Sequence, residues 1–583
     1  MANTVGTGED RSVEKVVLTA LTCLLVTYAV IALRMGASLP SPLDGHRGQL
    51  HRPQQQQQQQ QHRVQAQPHT QRKTQAQLQP QSQPHARKPS VAAATPSISS
   101  TTSFPISIKD EQYERILHPA FQLMNHHNLN SNPRGHSQSA GAESSLDVPK
   151  FWDPAQYGSE GGIRQHLGQH GKRLITPSEA AEVGTYYTPT TSDATSTQPP
   201  LETIYVAISS YRDWQCTGTV ENVFFRARHP ERVRVAVVDQ IDEGDARCGQ
   251  PARSCEVDPD QILCRHADQI DVYHMDATLA VGPVFARHIG HRMYRGEYFA
   301  MQCDAHVAFT QDWDADIIDQ WKSAKNEMAV LTAYLSDIQG AIDEATGRRL
   351  QESRPIMCRT DYEGFGDQRH LRHGQHPEGQ PGIHGEPTLE PYWAAGYSFA
   401  RGHFVVQVPY DQYLPQIFQG EEISIGLRGW TYGYDYYTPE KSVCFHMYAV
   451  GKNKSKRKKV KLFWEHAKLY RGVGSYAMLR LLGIISMSNP GITPDQWFHE
   501  EEEKYGIGNV RTLEKFFTTF GIHHEKQQVE QHLCRFVGRE MQKAFIPHLR
   551  KDKMGINYDA IDYKFVDPAP DEKPPPLNGK RSF

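Results

Sequence analysis

Residues 204–238 read IYVAISSYRDWQCTGTVENVFFRARHPERVRVAVV, and this stretch decides the fold. The unbroken apolar run Ile204 to Ile208 predicts a buried strand. Val220, Val223, Phe224 and Ala227 then recur at helical spacing and predict a helix over 220–229, and Val233 to Val238 supplies a second strand. Strand, helix and strand at this spacing make a βαβ unit. The alternation continues downstream with strands expected at 270–273, 298–303 and 328–334 and helices at 283–294 and 315–325. It predicts an α/β fold: a Rossmann-type, mainly parallel sheet flanked by helices, with ligands bound at the carboxyl ends of its strands. Helical patterns at 464–485 and 512–520 add a helical C-terminal subregion. Neither a G-x-G-x-x-G nor a Walker A motif occurs in this region, so dehydrogenase and P-loop chemistry lose their main support.

Upstream the composition changes. The chain has 583 residues and is 38% hydrophobic, below the roughly 45–50% usual for globular proteins, and the deficit falls before Pro200. Gln54 to Gln61 is pure glutamine, and Gln, His, Ser, Thr and Pro dominate the rest; such sequence buries too little apolar surface to offset its ordering entropy. A stem is expected over 35–200, broken by one short helix at Lys109 to Met124. Val16 to Leu33 carries no charge between Lys15 and Arg34, close to the roughly 20 residues a bilayer core requires. It reads as a signal anchor over 15–34 after a cytoplasmic tail at 1–14, although Arg11 and Lys15 against Arg34 and Arg47 set no orientation. The remaining divisions are a globular domain at 201–545 and a tail at 546–583. A net charge of −3 gives no reason to expect a nucleic-acid partner. Cys216, Cys248, Cys255 and Cys264 cluster without zinc-module spacing, and in a secretory lumen they can pair in any of three ways.

Chemistry concentrates where apolar strands end. In Gln302-Cys303-Asp304-Ala305-His306, Asp304 and His306 stand two apart, so in extended chain they share a face and can hold one cation. A carboxylate with an imidazole suits Mn²⁺ or a similar divalent ion. Ser209, Tyr211, Arg212 and Asp213 follow the first strand, where a nucleotide is expected: Tyr211 to stack on a base and Asp213 to accept its imide proton. Arg287 offers a guanidinium for phosphate or for an ion pair with the strand loop. Ala395 and Gly396 let a sugar approach the backbone, and Glu421 or Glu422 can bind sugar hydroxyls or stabilise positive charge at an anomeric carbon. The aromatic run Trp430, Tyr432, Tyr434 with Asp435 is a candidate acceptor groove or simply core. The basic run at 451–461 can serve as a lid, and Asn453-Lys454-Ser455 is a glycosylation sequon.

The segments IYVAISSYRDWQC, FFRARHPERVRVAVVDQ, GPVFARHIGHRMYRGEYFAMQCDAHVAFTQDWD, YWAAGYSFARGHF, FQGEEISIGLRGWTYGYDYYTP and VCFHMY occur in this order between Leu201 and His524. In that order they resemble the polypeptide N-acetylglucosaminyltransferases of glycosyltransferase family 60. The resemblance implies a GT-A fold, a UDP-sugar donor, a divalent metal and retention of anomeric configuration. It implies that Asp304 and His306 form the metal motif and that His446 is a third ligand. The resulting expectation is a Mn²⁺-dependent transfer of α-GlcNAc from UDP-GlcNAc to a Thr, Ser or hydroxyproline hydroxyl of a polypeptide. The enzyme would be a single-pass type II protein of Golgi or endoplasmic reticulum, with its catalytic domain luminal. Alternatives are the same fold with another UDP-sugar such as UDP-galactose, or a catalytically silent anchored lectin or adaptor.

Overall fold

The computed structural model describes residues 167–188, 199–351, 354–377, 385–448, 451–455, 460–530 and 533–562. The expected anchor at 15–34, the helix at 109–124, most of the stem and the end of the C-terminal tail lie outside the described residues. No helix among the described residues is long and apolar enough to cross a membrane.

The elements that position the site are α1 (Pro177–Glu182), β1 (Ile204–Tyr211), α2 (Cys216–Arg226), β2 (Val233–Ile241), β3 (Ile270–Asp276), α3 (Pro283–Arg292), β4 (Phe299–Asp304), β5 (Val307–Phe309), α4 (Trp313–Ser323) and β6 (Ala329–Thr332). They continue with β7 (Pro355–Glu363), β8 (His370–Pro377), β9 (Thr388–Glu390), β10 (Tyr397–Arg401), α5 (Glu421–Thr431), β11 (Asp435–Thr438), β12 (Cys444–His446), α6 (Val473–Ile484) and α7 (Leu513–Phe520). Eight strands form one sheet in the order β9-β11-β6-β10-β4-β1-β2-β3. β1 to β4 are parallel to one another, as the βαβ pattern requires. β10 runs antiparallel between β4 and β6, and β9 antiparallel to β11, so the sheet is mixed, with most strands pointing one way. The first five side chains of β1 are buried, which is why its sequence is continuously apolar instead of alternating. α3 lies so close to β1 and β2 that a Cβ at Gly290 would meet Val238 and Ala207 at van der Waals distance.

Several boundaries differ from expectation for local reasons. β1 continues to Tyr211 because Ser209 and Ser210 stay in the ladder opposite Val238 and Asp239. The helix expected at 464–485 begins only at Val473: Gly472, at φ 86°, interrupts it, and 463–466 forms a 3₁₀ turn. The folded part also extends past both expected ends. Leu167, Ile175, Ala180 and Val183 are buried in the core, so the last portion of the expected stem is part of the domain. Thr176 and Glu179 close a capping box on α1, and buried Arg401 donates to Ala180 O and Val183 O at 3.0 and 2.7 Å. At the other end Met554, Ile556, Tyr558 and Ile561 are buried, beyond the boundary expected at 545.

Of the three possible pairings in the first cysteine cluster, the structure has Cys216–Cys248 and Cys255–Cys264. A third disulfide, Cys358–Cys534, ties β7 to the C-terminal helical region across 176 residues. Cys303 and Cys444 are buried free thiols.

Deleting 167–187 would remove four core side chains and two of the acceptors of the Arg401 guanidinium. The shortened chain is expected to unfold about 5 °C or more below the full chain, read by thermal melting. An unchanged midpoint would exclude this segment from the cooperative unit.

Candidate metal centre

Asp304 closes β4 and His306 follows after one residue, but the turn between β4 and β5 is not free to choose its shape. Thr219 on α2 donates through its hydroxyl to Ala305 O at 2.9 Å and accepts from Val307 N at 3.2 Å, while Asn222 Oδ1 accepts from Phe309 N at 2.6 Å. β5 then pairs antiparallel with β12, setting His446 opposite Val307. The His446 backbone is held on its other side as well: its N–H donates to Ser336 O, and its carbonyl accepts from Ile338 N. A neighbouring pair, Asp304 and His306, and the distant His446 therefore meet at the carboxyl edge of the parallel strands.

His306 Nε2 lies 2.8 Å from His446 Nε2, and His446 Nε2 lies 3.2 Å from Asp304 Oδ2. The three ligand atoms all fall within 4.8 Å of one another. Two imidazole nitrogens face to face at that distance require a proton or a cation between them. Bonds of about 2.1 Å to a divalent ion space neighbouring ligands about 3 Å apart, which is the spacing His446 Nε2 keeps to each of the other two donors. One carboxylate and two imidazoles make a mixed donor set that suits Mn²⁺ or a similar ion.

The surrounding groups orient these donors. Asp213 Oδ2 sits 2.8 Å from His306 Nδ1, so the ring carries its proton there and turns the Nε2 lone pair toward the centre. Arg287 donates from Nη2 to Asp304 Oδ1 at 2.8 Å and from Nη1 to Glu421 Oε1 at 2.5 Å. Tyr410 donates to the same Glu421 oxygen at 2.7 Å. Against the penalty of burial, the bond from His446 and the Arg287 charge hold the Asp304 carboxyl well below the usual carboxylate range. Glu422 differs from its neighbour: burial and the Glu421 charge push its carboxyl up to about 7, while Tyr334 donates to it at 3.1 Å.

The residues singled out in the sequence divide accordingly. Ser209 lies beside Asp304 in the sheet register, and a Cβ on Gly396 would stand 3.3 Å from Asp304 Oδ2; Ala395 O accepts from Gln302 Nε2 at 2.6 Å. Asp213 faces His306 instead of waiting for a base. Arg287 makes the ion pair with the strand end, the second of its two expected roles. Tyr211 and Arg212 converge on Glu465, at 2.6 and 3.0 Å, and Arg212 also pairs with Asp245 at 2.6 Å. Glu465, Tyr410, Tyr334 and Thr219 carry no motif that would have marked them.

Asp435 does not join the group. β11 runs parallel to β6 with Asp435 opposite Ala329, at the strands' amino ends, which puts it on the opposite edge of the sheet. It is buried, and its carboxylate accepts from Arg511, Asn326 Nδ2 and Ile556 N, each at 2.8 Å, so it ties the C-terminal segment to the core. Trp430 and Tyr434 pack against Phe516 and Phe404 in the interior and Tyr432 is buried, so that run is core and not an acceptor groove. Of the basic run, residues 456–459 lie outside the described residues. The sequon asparagine, Asn453, is buried, which leaves its amide poorly placed for modification.

A mixed α/β sheet with three convergent metal-type donors at its carboxyl edge defines a fold-and-site class that fits group transfer from a nucleotide-linked donor. A family model described as Glycosyltransferase (GlcNAc) matches residues 203–261 and 250–526, more than half of the chain. The chain belongs to this family and is a glycosyltransferase. No curated protein matches it in sequence. Among solved structures it is similar to GalNAc-T7 with UDP, GalNAc and Mn²⁺, at 14% identity and a TM-score of 0.36 over 65% of this chain and 67% of that one. It is similar also to Staphylococcus aureus (S. aureus) TarS 1-349 in complex with UDP-GlcNAc, at 11% identity and a TM-score of 0.26 over 48% and 71%. A further likeness is to mannosyltransferase PcManGT from Pyrobaculum calidifontis with GDP-Man and Mn²⁺, at 11% identity and a TM-score of 0.24 over 50% and 77%.

Because Asp213 orients His306 without being a ligand, Asp213→Asn is expected to raise the dissociation constant for Mn²⁺ about 10- to 100-fold while the chain stays folded. Titration of Mn²⁺ followed by electron paramagnetic resonance reads this directly, and an unchanged constant would show that the Asp213–His306 contact does not serve the ion.

Proposed function

We propose that the chain is a retaining polypeptide α-N-acetylglucosaminyltransferase of the family 60 type, moving GlcNAc from UDP-GlcNAc to a Thr, Ser or hydroxyproline hydroxyl. The observation that carries this reading is the meeting of Asp304, His306 and His446 at the end of β4, with Asp213 fixing the tautomer of His306. A divalent ion held there, when bound, would supply a Lewis acid that neutralises charge developing on the departing diphosphate. The rest is asked of the chain itself. Ser209 and Gly396 flank Asp304 without filling the space in front of it, leaving backbone to approach the donor. Glu422, in contact with Tyr334 and partly exposed, is the carboxylate placed to accept a sugar hydroxyl or to face positive charge on the anomeric carbon. In the transfer, the bond from C1 to the diphosphate oxygen breaks and one from C1 to the acceptor oxygen forms on the same face. The acceptor proton passes to a donor phosphate oxygen.

Three disulfides among the described residues are of a kind that persists in oxidising compartments. They support a luminal catalytic domain, and the apolar stretch at 16–33 supports a single-pass type II anchor. A Golgi or endoplasmic reticulum location is part of the same proposal.

Two outcomes are expected. With Mn²⁺ and peptides carrying Thr, Ser or hydroxyproline, the full chain should yield a product heavier by one N-acetylhexosamine from UDP-GlcNAc and none from UDP-galactose, read by mass spectrometry. Asp304→Ala should cut kcat/KM at least about 100-fold; wild-type transfer from UDP-galactose, or none at all, would refute the donor assignment. At saturating Mn²⁺, kcat/KM should rise with pH through about 7, because a carboxyl raised to that value is neutral below it and anionic above it. Glu422→Gln should remove that limb; a limb that persists in the variant belongs to another group.

A further inference from the structure

Glu421 and Glu422 are adjacent in sequence, yet they are held by different groups: Glu421 by Arg287 and Tyr410, Glu422 by Tyr334. Glu421 is buried, and the same oxygen, Oε1, receives Arg287 Nη1 at 2.5 Å and the Tyr410 hydroxyl at 2.7 Å. Both bonds fall on Oε1, so that oxygen is committed to Arg287 and Tyr410. Its effect passes through Arg287, whose other terminal nitrogen holds Asp304 Oδ1 at 2.8 Å. The second Asp304 oxygen, Oδ2, is the one that faces His446 Nε2 at 3.2 Å and lies nearest Gly396. The two oxygens of Asp304 thus have separate partners, and the separation is enforced by an arginine clamped from behind.

We propose that Glu421 is a positioning residue that sets which ion the centre prefers: with Tyr410 it holds Arg287 on one oxygen of Asp304, so that Asp304 presents a single oxygen beside two imidazoles. The inference rests on reading Asp304, His306 and His446 as a divalent-ion site. Ca²⁺ favours six to eight oxygen ligands, at about 2.3–2.6 Å, and gains from carboxylates that bind through both oxygens. A one-oxygen carboxylate with two nitrogens suits the smaller Mn²⁺ instead. Releasing Arg287 would free Asp304 Oδ1, which weakens the hold on Mn²⁺ and makes a two-oxygen mode accessible to Ca²⁺. An ion preference thereby becomes a property of a side chain that touches neither ion nor donor.

The test is ion binding by the full chain without donor, using Mn²⁺ and Ca²⁺ separately in isothermal titration calorimetry, with folding checked by metal-free thermal melting. Glu421→Gln is expected to raise the Mn²⁺ dissociation constant about 10-fold and to change that for Ca²⁺ less than about 2-fold, so the preference for Mn²⁺ narrows. If Glu421→Gln does not fold, Tyr410→Phe removes only one hydrogen bond to the same oxygen and should narrow the preference about 2- to 3-fold. Equal weakening of both ions, or an unchanged Mn²⁺ constant, in the folded variant overturns the proposal. Asp304→Ala separates the two levels. If it abolishes Mn²⁺ binding while Glu421→Gln does nothing, the centre stands and this inference fails; if it leaves binding intact, the centre itself is misassigned.

Discussion

The pairing of β5 with β12 is the constraint on which the rest depends. His306 and His446 are 140 residues apart, and no local preference of either segment would bring them together. Three residues of ladder put His446 opposite Val307, and the backbone bonds to Ser336 and Ile338 fix that strand from its other side. Without this short pairing Asp304 and His306 would be an ordinary acidic and basic pair on a loop. With it, two imidazoles and a carboxylate are held near 3 Å separations before any ion arrives. The cost of ordering the ligands is thus met by folding and not by binding, which is how preorganised sites gain affinity.

Around that centre, charge is arranged in layers. Asp213 stands behind His306, Arg287 behind Asp304, and Glu421 with Tyr410 behind Arg287. Each layer satisfies the one in front of it, as buried charges must be. Glu422 breaks the pattern. Tyr334 donates to it, it stands half-buried next to another carboxylate, and its proton affinity rises accordingly. Burial and the neighbouring Glu421 charge raise this carboxyl toward neutrality beside the Arg287 network, which is why the proposed function gives it the contact with the sugar.

Much of this could be read from the amino-acid sequence. β1, β2 and β4 announce themselves as apolar runs because both faces of the sheet are covered there, and the helices between them by their stripes. Asp304 and His306 were legible as a same-face pair, whereas His446 stood out only through its likeness to a family, since a single histidine on a short strand has no local signal. Asp435 misled because its aromatic, glycine-rich setting resembles a groove; only strand direction reveals that it lies on the far edge. The segment at 167–187 was hidden by composition: its buried residues are few and widely spaced, and its contribution is made through Arg401, more than 200 residues away. Antiparallel β10 was equally hidden, because a buried strand reads the same in either direction.

The cysteines carry a consequence of a different kind. Cys358–Cys534 closes a loop of 176 residues, and in the chain-entropy view a link of that span is worth about 5 kcal/mol, nearly all of it exerted on the unfolded chain. Cys303 and Cys444, by contrast, are sealed inside the sheet, where burial raises their thiols and keeps them unreactive. The molecule therefore separates its sulfur into linked pairs that hold the scaffold and inert thiols beside the centre. In a reducing milieu the fold would forgo that stabilisation, and Cys216–Cys248, at the start of the helix whose Thr219 and Asn222 shape the turn at the centre, carries the consequence to the site.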